Sequence, residues 1–288
     1  MTSSPQTVQQ LVAQMRQRLD AAGVADPLTD ARLLIGEVIG FSLTDFVLNA
    51  NRIVSVDDIA RIETMIDRRT AGEPVHRILG HREFYGLDLI LSPGTLEPRP
   101  DTEVLVDALL PHLRGIVARQ GQARILDIGI GTGAICLALL HECPGTSGVG
   151  SDISIDAMET ARKNAQRHGL EDRFETVESN WFERISGRFD IIVSNPPYIR
   201  SHVIQTLDRD VRNFDPMAAL DGGEDGLSPY RAIAEKAVDF LVDGGLIGLE
   251  IGYDQKTDVT AIFAAHGYNS VEAIRDYGGN DRGLIFCR

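Results

Sequence analysis

The sequence predicts an α/β protein: a doubly wound, mostly parallel sheet that ends in an antiparallel hairpin, preceded by a small helical bundle. Three observations predict it. Apolar residues over 1–70 recur at helical spacing, whereas those over 101–268 alternate between short strand-like runs and helical segments, the pattern of a parallel sheet with crossover helices. The final two strand-like runs, 270–277 and 282–287, are joined by Gly-Gly-Asn-Asp, which reads as a hairpin.

Taken in order, Val8, Leu11, Val12, Met15, Leu19 and Ala22 form one apolar stripe over 7–22, with Gly23 as the stop. A second helix covers 29–39 and ends at Gly40. Ser55 followed by Asp58 reads as a capping box, opening a helix whose Ile59, Ile62, Met65 and Ile66 share a face until Gly72. Over 71–100 short apolar pieces broken by Gly80, Gly86, Pro93 and Gly94 predict a connector with a hairpin. The domain from 101 to 288 then begins with a helix over 102–119, a strand over 124–128, a helix over 132–141 and a strand over 148–152. It continues with a helix over 155–168, strands over 174–177 and 189–194, a helix from 228 through 241, a strand over 245–251 and a helix over 259–266.

Composition narrows the function classes. With 43% hydrophobic and 24% charged residues the chain is that of an ordinary water-soluble globular protein. A formal net charge of −14 disfavours broad contact with phosphate backbones or anionic lipid, so no direct nucleic-acid or membrane partner is expected. The 1–70 bundle follows suit, with seven basic residues against nine acidic ones. No apolar run approaches the ~18 residues of a membrane span, and the first twenty residues lack a signal-peptide core, which predicts a cytoplasmic protein. Cys136, Cys143 and Cys287 form no Cys-x-x-Cys pair, so reduced thiols and no metal site are expected.

The stretch Ile125 to Cys136 is a strand, then Gly129, Ile130, Gly131, Thr132 and Gly133, then a helix. Glycines there let the backbone turn tightly and bring a ligand against the free amides of a helix N-terminus. About 20 residues on, Asp152 closes the next strand where a carboxylate can accept ribose hydroxyls. Together they indicate a nucleoside cofactor, and on this loop alone a dinucleotide and S-adenosylmethionine both remain open, because Gly129, Gly131 and Ala134 also satisfy the dinucleotide pattern.

The strand over 189–194 decides between them. It runs into Asn195, Pro196, Pro197 and Tyr198, at the carboxyl end of the sheet where ligands of this fold class bind. The two prolines cannot continue a ladder and hold nearby carbonyls outward. Asn195 offers an amide oxygen, Pro196 a carbonyl and Tyr198 a flat face, a set suited to a planar NH2 group, with S-adenosylmethionine as the methyl donor.

Asn-Pro-Pro-Tyr combined with this glycine loop resembles the class I, Rossmann-like methyltransferases that act on planar nitrogen. More closely, the chain resembles the peptide chain release factor N5-glutamine methyltransferases, the HemK/PrmC family. The resemblance rests on Gly72 to Gly86, "EPRPDTE" at 97–103, "LDIGIGTGAI", "SNPPYI", "ALDGGEDGL" at 219–227, "LEIG" at 249–252 and "GNDRG" at 279–283. It implies methyl transfer from S-adenosylmethionine to the side-chain amide of the glutamine in the Gly-Gly-Gln loop of class I release factors, which would be the protein partners. By position, it places Gly129, Ile130, Gly131, Thr132 and Gly133 on the methionine and ribose, Asp152 on the ribose hydroxyls, and Asn180 and Trp181 beside the adenine. Asn195, Pro196, Pro197 and Tyr198 would hold the substrate glutamine, Asn195 lying next to the cofactor as well. Relatives usually carry Asp before the tryptophan, and Asn180 keeps the carbonyl acceptor without the charge. Residues 1–70 would recognise the protein substrate. The rival readings are a nucleic-acid amino methyltransferase acting on adenine or guanine NH2, against which the charge argues, and a non-catalytic nucleoside-binding regulator, against which the intact Asn195 to Tyr198 set argues.

Overall fold

The computed structural model describes residues 5–288, and its first helix starts where two side chains satisfy two orphan backbone donors. Thr7 Oγ1 accepts the Gln10 N–H at 3.3 Å, and the Gln10 side chain accepts the Thr7 N–H at 3.0 Å, a complete capping box that the sequence reading passed over. Thr7 also ends strand β1 (Gln6–Thr7), which pairs with β2 (Ile53–Val54). The helices of this first unit are α1 (Val8–Ala21), α2 (Pro27–Ile39), α3 (Asp45–Leu48), α4 (Val56–Thr70) and α5 (Val75–Leu79). At Ser55 the expected box is half built. Ser55 Oγ accepts the Asp58 N–H at 3.1 Å, but the Asp58 carboxylate takes the Ser55 hydroxyl at 2.7 Å and not the backbone, its stem being one methylene shorter than that of Glu. Val8, Leu11, Met15, Leu19, Leu34, Ile35, Ile59, Ile62 and Ile66 make one buried cluster, the predicted helix stripes turned toward each other. Asp30 on α2 and Arg69 on α4 close it with a 2.6 Å ion pair.

This unit ends at Gly80 and a second runs from His81 to Arg288, so the predicted connector over 71–100 is divided between them, α5 going with the first. The first four residues of the predicted 1–70 bundle lie outside the described residues.

The second unit opens with a hairpin of β3 (His81–Phe84) and β4 (Leu87–Ile90) and α6 (Glu103–Gln120). There follow β5 (Ala123–Ile128), α7 (Ala134–Glu142), β6 (Thr146–Asp152), α8 (Ile155–Arg167), β7 (Phe174–Glu178) and β8 (Phe189–Ser194). After α9 (Arg209–Phe214), which the sequence reading missed, come α10 (Ser228–Lys236), β9 (Leu241–Glu250), α11 (Lys256–Ala265), β10 (Asn269–Arg275) and β11 (Asp281–Cys287). The main sheet has seven strands in the order β10-β11-β9-β8-β5-β6-β7. Strands β5 to β9 are parallel, while β11 runs antiparallel to β9 and to β10, so the sheet ends in the predicted hairpin.

At the centre of the sheet both faces are buried, which is why β5, β8 and the second half of β9 read as near-continuous apolar runs. Ile125, Ile191 and Val193 join Leu105, Leu109 and Leu137 on one face. Leu126, Ile192, Ile247 and Leu249 join Tyr230, Ile233 and Phe263 on the other. Strand β9 starts four residues earlier than expected, and the predicted helix through 241 stops at Lys236. The reason is an irregularity: Phe189 pairs with Leu241 but Ile191 with Leu246, and Gly244 at φ 74° takes up the surplus chain. Among the described residues no helix is long and apolar enough to cross a membrane.

Strand β6 carries glycine where α7 and the loop before it press closest. A Cβ on Gly148 would lie 2.4 Å from Cys136 Sγ, well inside contact distance. Gly148→Ala should therefore lower stability by about 1–3 kcal/mol, the usual penalty for overpacking a core, measured as a reduced urea midpoint with unchanged m-value.

Candidate active site

Strands β5 and β8 lie side by side, and the strand order reverses between them, since β6 and β7 follow β5 on one side while β8 and β9 lie on the other. Ile128 pairs with Ser194 at their carboxyl ends, and the Ser194 hydroxyl donates to the Ile128 carbonyl at 2.6 Å. The loops that leave these two ends line a common cavity of about 410 Å³. Ligands of open α/β sheets bind at such a switch point.

The first loop is the glycine loop. Gly129, Gly131 and Gly133 all have positive φ (75°, 52° and 87°), a conformation that glycine adopts freely and a residue with a Cβ only at a cost. The N–H groups of Gly129 and Ile130 donate to the Ser151 carbonyl at 2.8 and 2.9 Å, which ties the loop to the end of β6. Gly129, Ile130, Gly131 and Thr132 line the cavity, and a Cβ added at Gly131 would meet nothing within 4 Å. Gly133 does not line it. A Cβ there would lie 2.8 Å from Leu137, so this glycine serves the turn and the close packing of α7.

Asp152, at the end of β6, lines the cavity directly beside the loop. Its carboxylate accepts the Gly131 N–H at 3.1 Å and the Ser154 N–H at 2.9 Å. Burial pushes this carboxyl up, against the pull of the Ser154, Gly131 and Ile153 amides. Asn180 and Trp181 also reach the cavity. Trp181 is held at φ 52°, rare for a bulky residue, with its carbonyl accepting the Ser179 hydroxyl at 3.0 Å. The Asn180 NH2 donates to Glu183 at 2.9 Å.

From the second loop, Asn195, Pro196 and Pro197 line the cavity, and Tyr198 does not. The Tyr198 ring packs against the second core cluster and its hydroxyl donates to Glu250 at 3.3 Å. Burial and the Glu250 charge push the Tyr198 phenol far up, so it stays protonated as a donor. The backbone after the prolines is clasped by the 219–227 segment: Ile199 N–H donates to Leu220 at 3.0 Å and Gly222 N–H to Ile199 at 2.9 Å. Glycine is needed there because a Cβ on Gly222 would lie 2.8 Å from the Pro197 carbonyl and from Tyr198 Cα.

Sequence reading assigned no role to four further residues that the fold brings to this place. Glu97, Thr102 and Asp127 line the cavity, and Glu250 lies directly behind Thr102. Buried Glu97 is ion-paired with Arg82. Asp127 accepts the Cys136 N–H at 3.1 Å, and burial pushes its carboxyl well up. Their signal was present, since Glu97 and Thr102 stand in "EPRPDTE" and Asp127 in "LDIG", but local spacing does not say that the fold brings them to one cavity. The cavity therefore joins a nucleoside-type half, made by the glycine loop and Asp152, to an acceptor-rich half made by Asn195 and the prolines. Among the described residues no cluster of three or more His, Cys, Asp or Glu side chains could hold a metal ion.

Comparison with known proteins finds one family match within each unit. Residues 10–80 match the PrmC N-terminal domain model and residues 101–211 the methyltransferase small domain model. The release factor glutamine methyltransferase of Agrobacterium fabrum is 69% identical over 273 residues, covering 95% of this chain and 94% of that protein. Those of Bradyrhizobium diazoefficiens (47% identical; 86% of this chain, 83% of that protein) and Rhodospirillum rubrum (44%; 94% and 82%) are also similar. Among solved structures, a Pyrococcus furiosus methyltransferase superposes with a TM-score of 0.53 at 22% identity, covering 78% of this chain and 96% of that one. The hMettl16 catalytic domain in complex with MAT2A 3'UTR hairpin 6 gives 0.55 at 14%, covering 82% and 84%. These two share the fold.

Gly131 tests the nucleoside half. Valine there would combine a β-branched residue at positive φ with a side chain in the open cavity. Gly131→Val should abolish detectable binding of S-adenosylmethionine by calorimetry while the far-ultraviolet circular dichroism stays native.

Proposed function

The chain belongs to the release factor glutamine methyltransferase family, and from that premise we propose that it methylates the side-chain amide nitrogen of the glutamine in the Gly-Gly-Gln loop of class I release factors. The observation that carries this reading is the meeting of the glycine loop and Asp152 with Asn195 and Pro196 in one cavity. S-adenosylmethionine, when bound, supplies a methyl group made electrophilic by its sulfonium. The cavity fits such a cofactor: Gly131 leaves open space, and the Asp152 carboxylate, held beside it by the Gly131 and Ser154 N–H groups, lines the same space. Gly129, Ile130, Gly131 and Thr132 would hold the methionine and ribose part, Asp152 the ribose hydroxyls, and Asn180 and Trp181 the adenine.

An amide nitrogen is a weak nucleophile because its lone pair is delocalised into the carbonyl. The chain must therefore orient it. Asn195 Oδ1 and the Pro196 carbonyl would each accept one N–H of the substrate amide, favouring a pyramidal nitrogen whose lone pair points at the methyl group. Once the nitrogen carries its methyl, it is acidic and loses its proton to water, so no strong base is required. Pro196 and Pro197 keep the acceptors fixed, and Tyr198 supports them from behind the wall through Glu250. The first unit would bind the body of the release factor, since a short flexible peptide loses about 1–2 kcal/mol per residue on ordering and needs contacts elsewhere. A cytoplasmic location accords with such a partner.

The direct test is the mass of a release factor after incubation with this protein and S-adenosylmethionine. A gain of one methyl group on the Gly-Gly-Gln peptide is expected; no gain, with label passing instead to nucleic acid, would sink the reading. Asn195→Ala should lower turnover by roughly 10²–10³-fold, the loss that follows removal of one oriented polar contact at a reacting centre, with cofactor affinity nearly unchanged in calorimetry. The first unit exposes the apolar side chains of Leu43, Val47, Leu48, Ile53 and Val56, none of them a member of its buried cluster. Leu48→Asp should raise KM for the folded release factor several-fold and leave kcat alone. Equal kcat/KM in steady-state assays would remove that surface from recognition.

A further inference from the structure

Thr102 and Glu250 sit in a position to decide which end of the Asn195 amide faces the substrate. Glu250 is the last residue of β9, and because Leu249 pairs with Ser194 it stands beside Asn195 on the neighbouring strand. It is 2% exposed, and Thr102 is 4% exposed. The Thr102 hydroxyl lies 2.6 Å from Glu250 Oε2, and Asn195 Nδ2 lies 3.4 Å from Thr102 Oγ1. The second contact is long, as polar contacts of a site without its substrate often are.

Proton counting fixes the direction of this chain. A carboxylate only accepts, whereas a hydroxyl has one proton to donate and lone pairs to spare. Thr102 therefore gives its proton to Glu250 and presents only an acceptor to Asn195. The Asn195 NH2 must turn toward Thr102, and the amide oxygen is left for the cavity. The opposite rotamer would set two oxygens face to face with no proton between them. On Glu250 the Thr102 and Tyr198 hydroxyls and the Arg282 charge favour the ionised, accepting form, while burial and the Asp101 charge act against it, pushing the carboxyl up.

We propose that Thr102 and Glu250 are positioning residues that lock the Asn195 amide with its oxygen toward the substrate, and thereby select a glutamine side chain, which donates N–H, over a glutamate side chain, which only accepts. This rests on the glutamine methyltransferase reading. It goes beyond that reading by naming what orients the acceptor and what the orientation excludes.

The test compares a release factor carrying Gly-Gly-Gln with one carrying Gly-Gly-Glu, the second scored as a competitive inhibitor of the first. Four proteins are used: wild type, Thr102→Ser, Thr102→Val and Thr102→Val with Glu250→Gln. The wild type should prefer the glutamine form by at least about tenfold, because a site built to receive an N–H rejects a group that lacks it. In Thr102→Val the amide is free to turn. Its preference should shrink to less than about threefold and kcat should fall about ten- to a hundredfold, while S-adenosylmethionine affinity stays within about twofold and reports an intact fold. The double variant, which removes the stranded carboxylate, should behave as Thr102→Val does and guards against instability of the single one. Thr102→Ser, which restores the hydroxyl, should recover most of both kcat and preference.

A wild-type preference and kcat in Thr102→Val would overturn the proposal, as would Thr102→Ser failing as badly as valine. Loss of preference in the double variant with retention in Thr102→Val would assign selectivity to the Glu250 charge and equally overturn it. Failure of the wild type to methylate the glutamine form is a separate result, and it would refute the functional reading instead.

Discussion

The rest of the site depends on the parallel pairing of β5 with β8. Their carboxyl ends are level, fixed by the Ile128 to Ser194 register and by the Ser194 hydroxyl on the Ile128 carbonyl. A shift of one residue would turn the apolar side chains of one strand to the wrong face of a doubly covered sheet. Core packing thus forbids the slip that would separate the glycine loop from Asn195. The precision needed to bring a cofactor and a substrate amide together is set by ordinary burial of Ile125, Leu126, Ile191 and Ile192, none of which lines the cavity.

Around that junction the chain buries or half-buries several acidic groups and gives each its own partner. Asp127 receives the Cys136 N–H, Asp152 the Gly131 and Ser154 N–H groups, Glu97 the Arg82 guanidinium and Glu250 two hydroxyls. Unpaired, such groups would cost several kcal/mol each. The partners come chiefly from loops and helix starts. A destabilising liability is thereby converted into fixed orientation of the site wall.

Close approach is the second device. Glycines at 148, 222 and 226 stand where a Cβ would collide with Cys136 Sγ, the Pro197 carbonyl or the Tyr198 carbonyl. Two of them let the 219–227 segment lie directly on the Asn-Pro-Pro-Tyr backbone, so that a segment unable to continue a β-ladder is still held by strand-like hydrogen bonds at Ile199. Rigidity there comes from packing of backbone on backbone.

The sequence by itself determined the helix and strand alternation, the glycine loop, Asp152, and the Asn195 to Pro197 corner. These follow from local causes: side-chain period in helices and strands, positive φ at Gly129, Gly131 and Gly133, and the missing N–H of two prolines. Several boundaries also followed, with β8 read to the residue, whereas β9 was read short because nothing local announces the irregularity at Gly244. Only the tertiary structure decided that Tyr198 turns to Glu250, away from the cavity, that Gly133 serves packing, and that Glu97 and Asp127 reach the cavity wall. It alone decided, too, that Thr102 stands between Asn195 and Glu250, partners 93 and 148 residues away in the chain. Hydrogen-bond direction across such distances depends on which side chains the sheet register and the loop packing bring within 3.5 Å, and no periodicity along the chain encodes that.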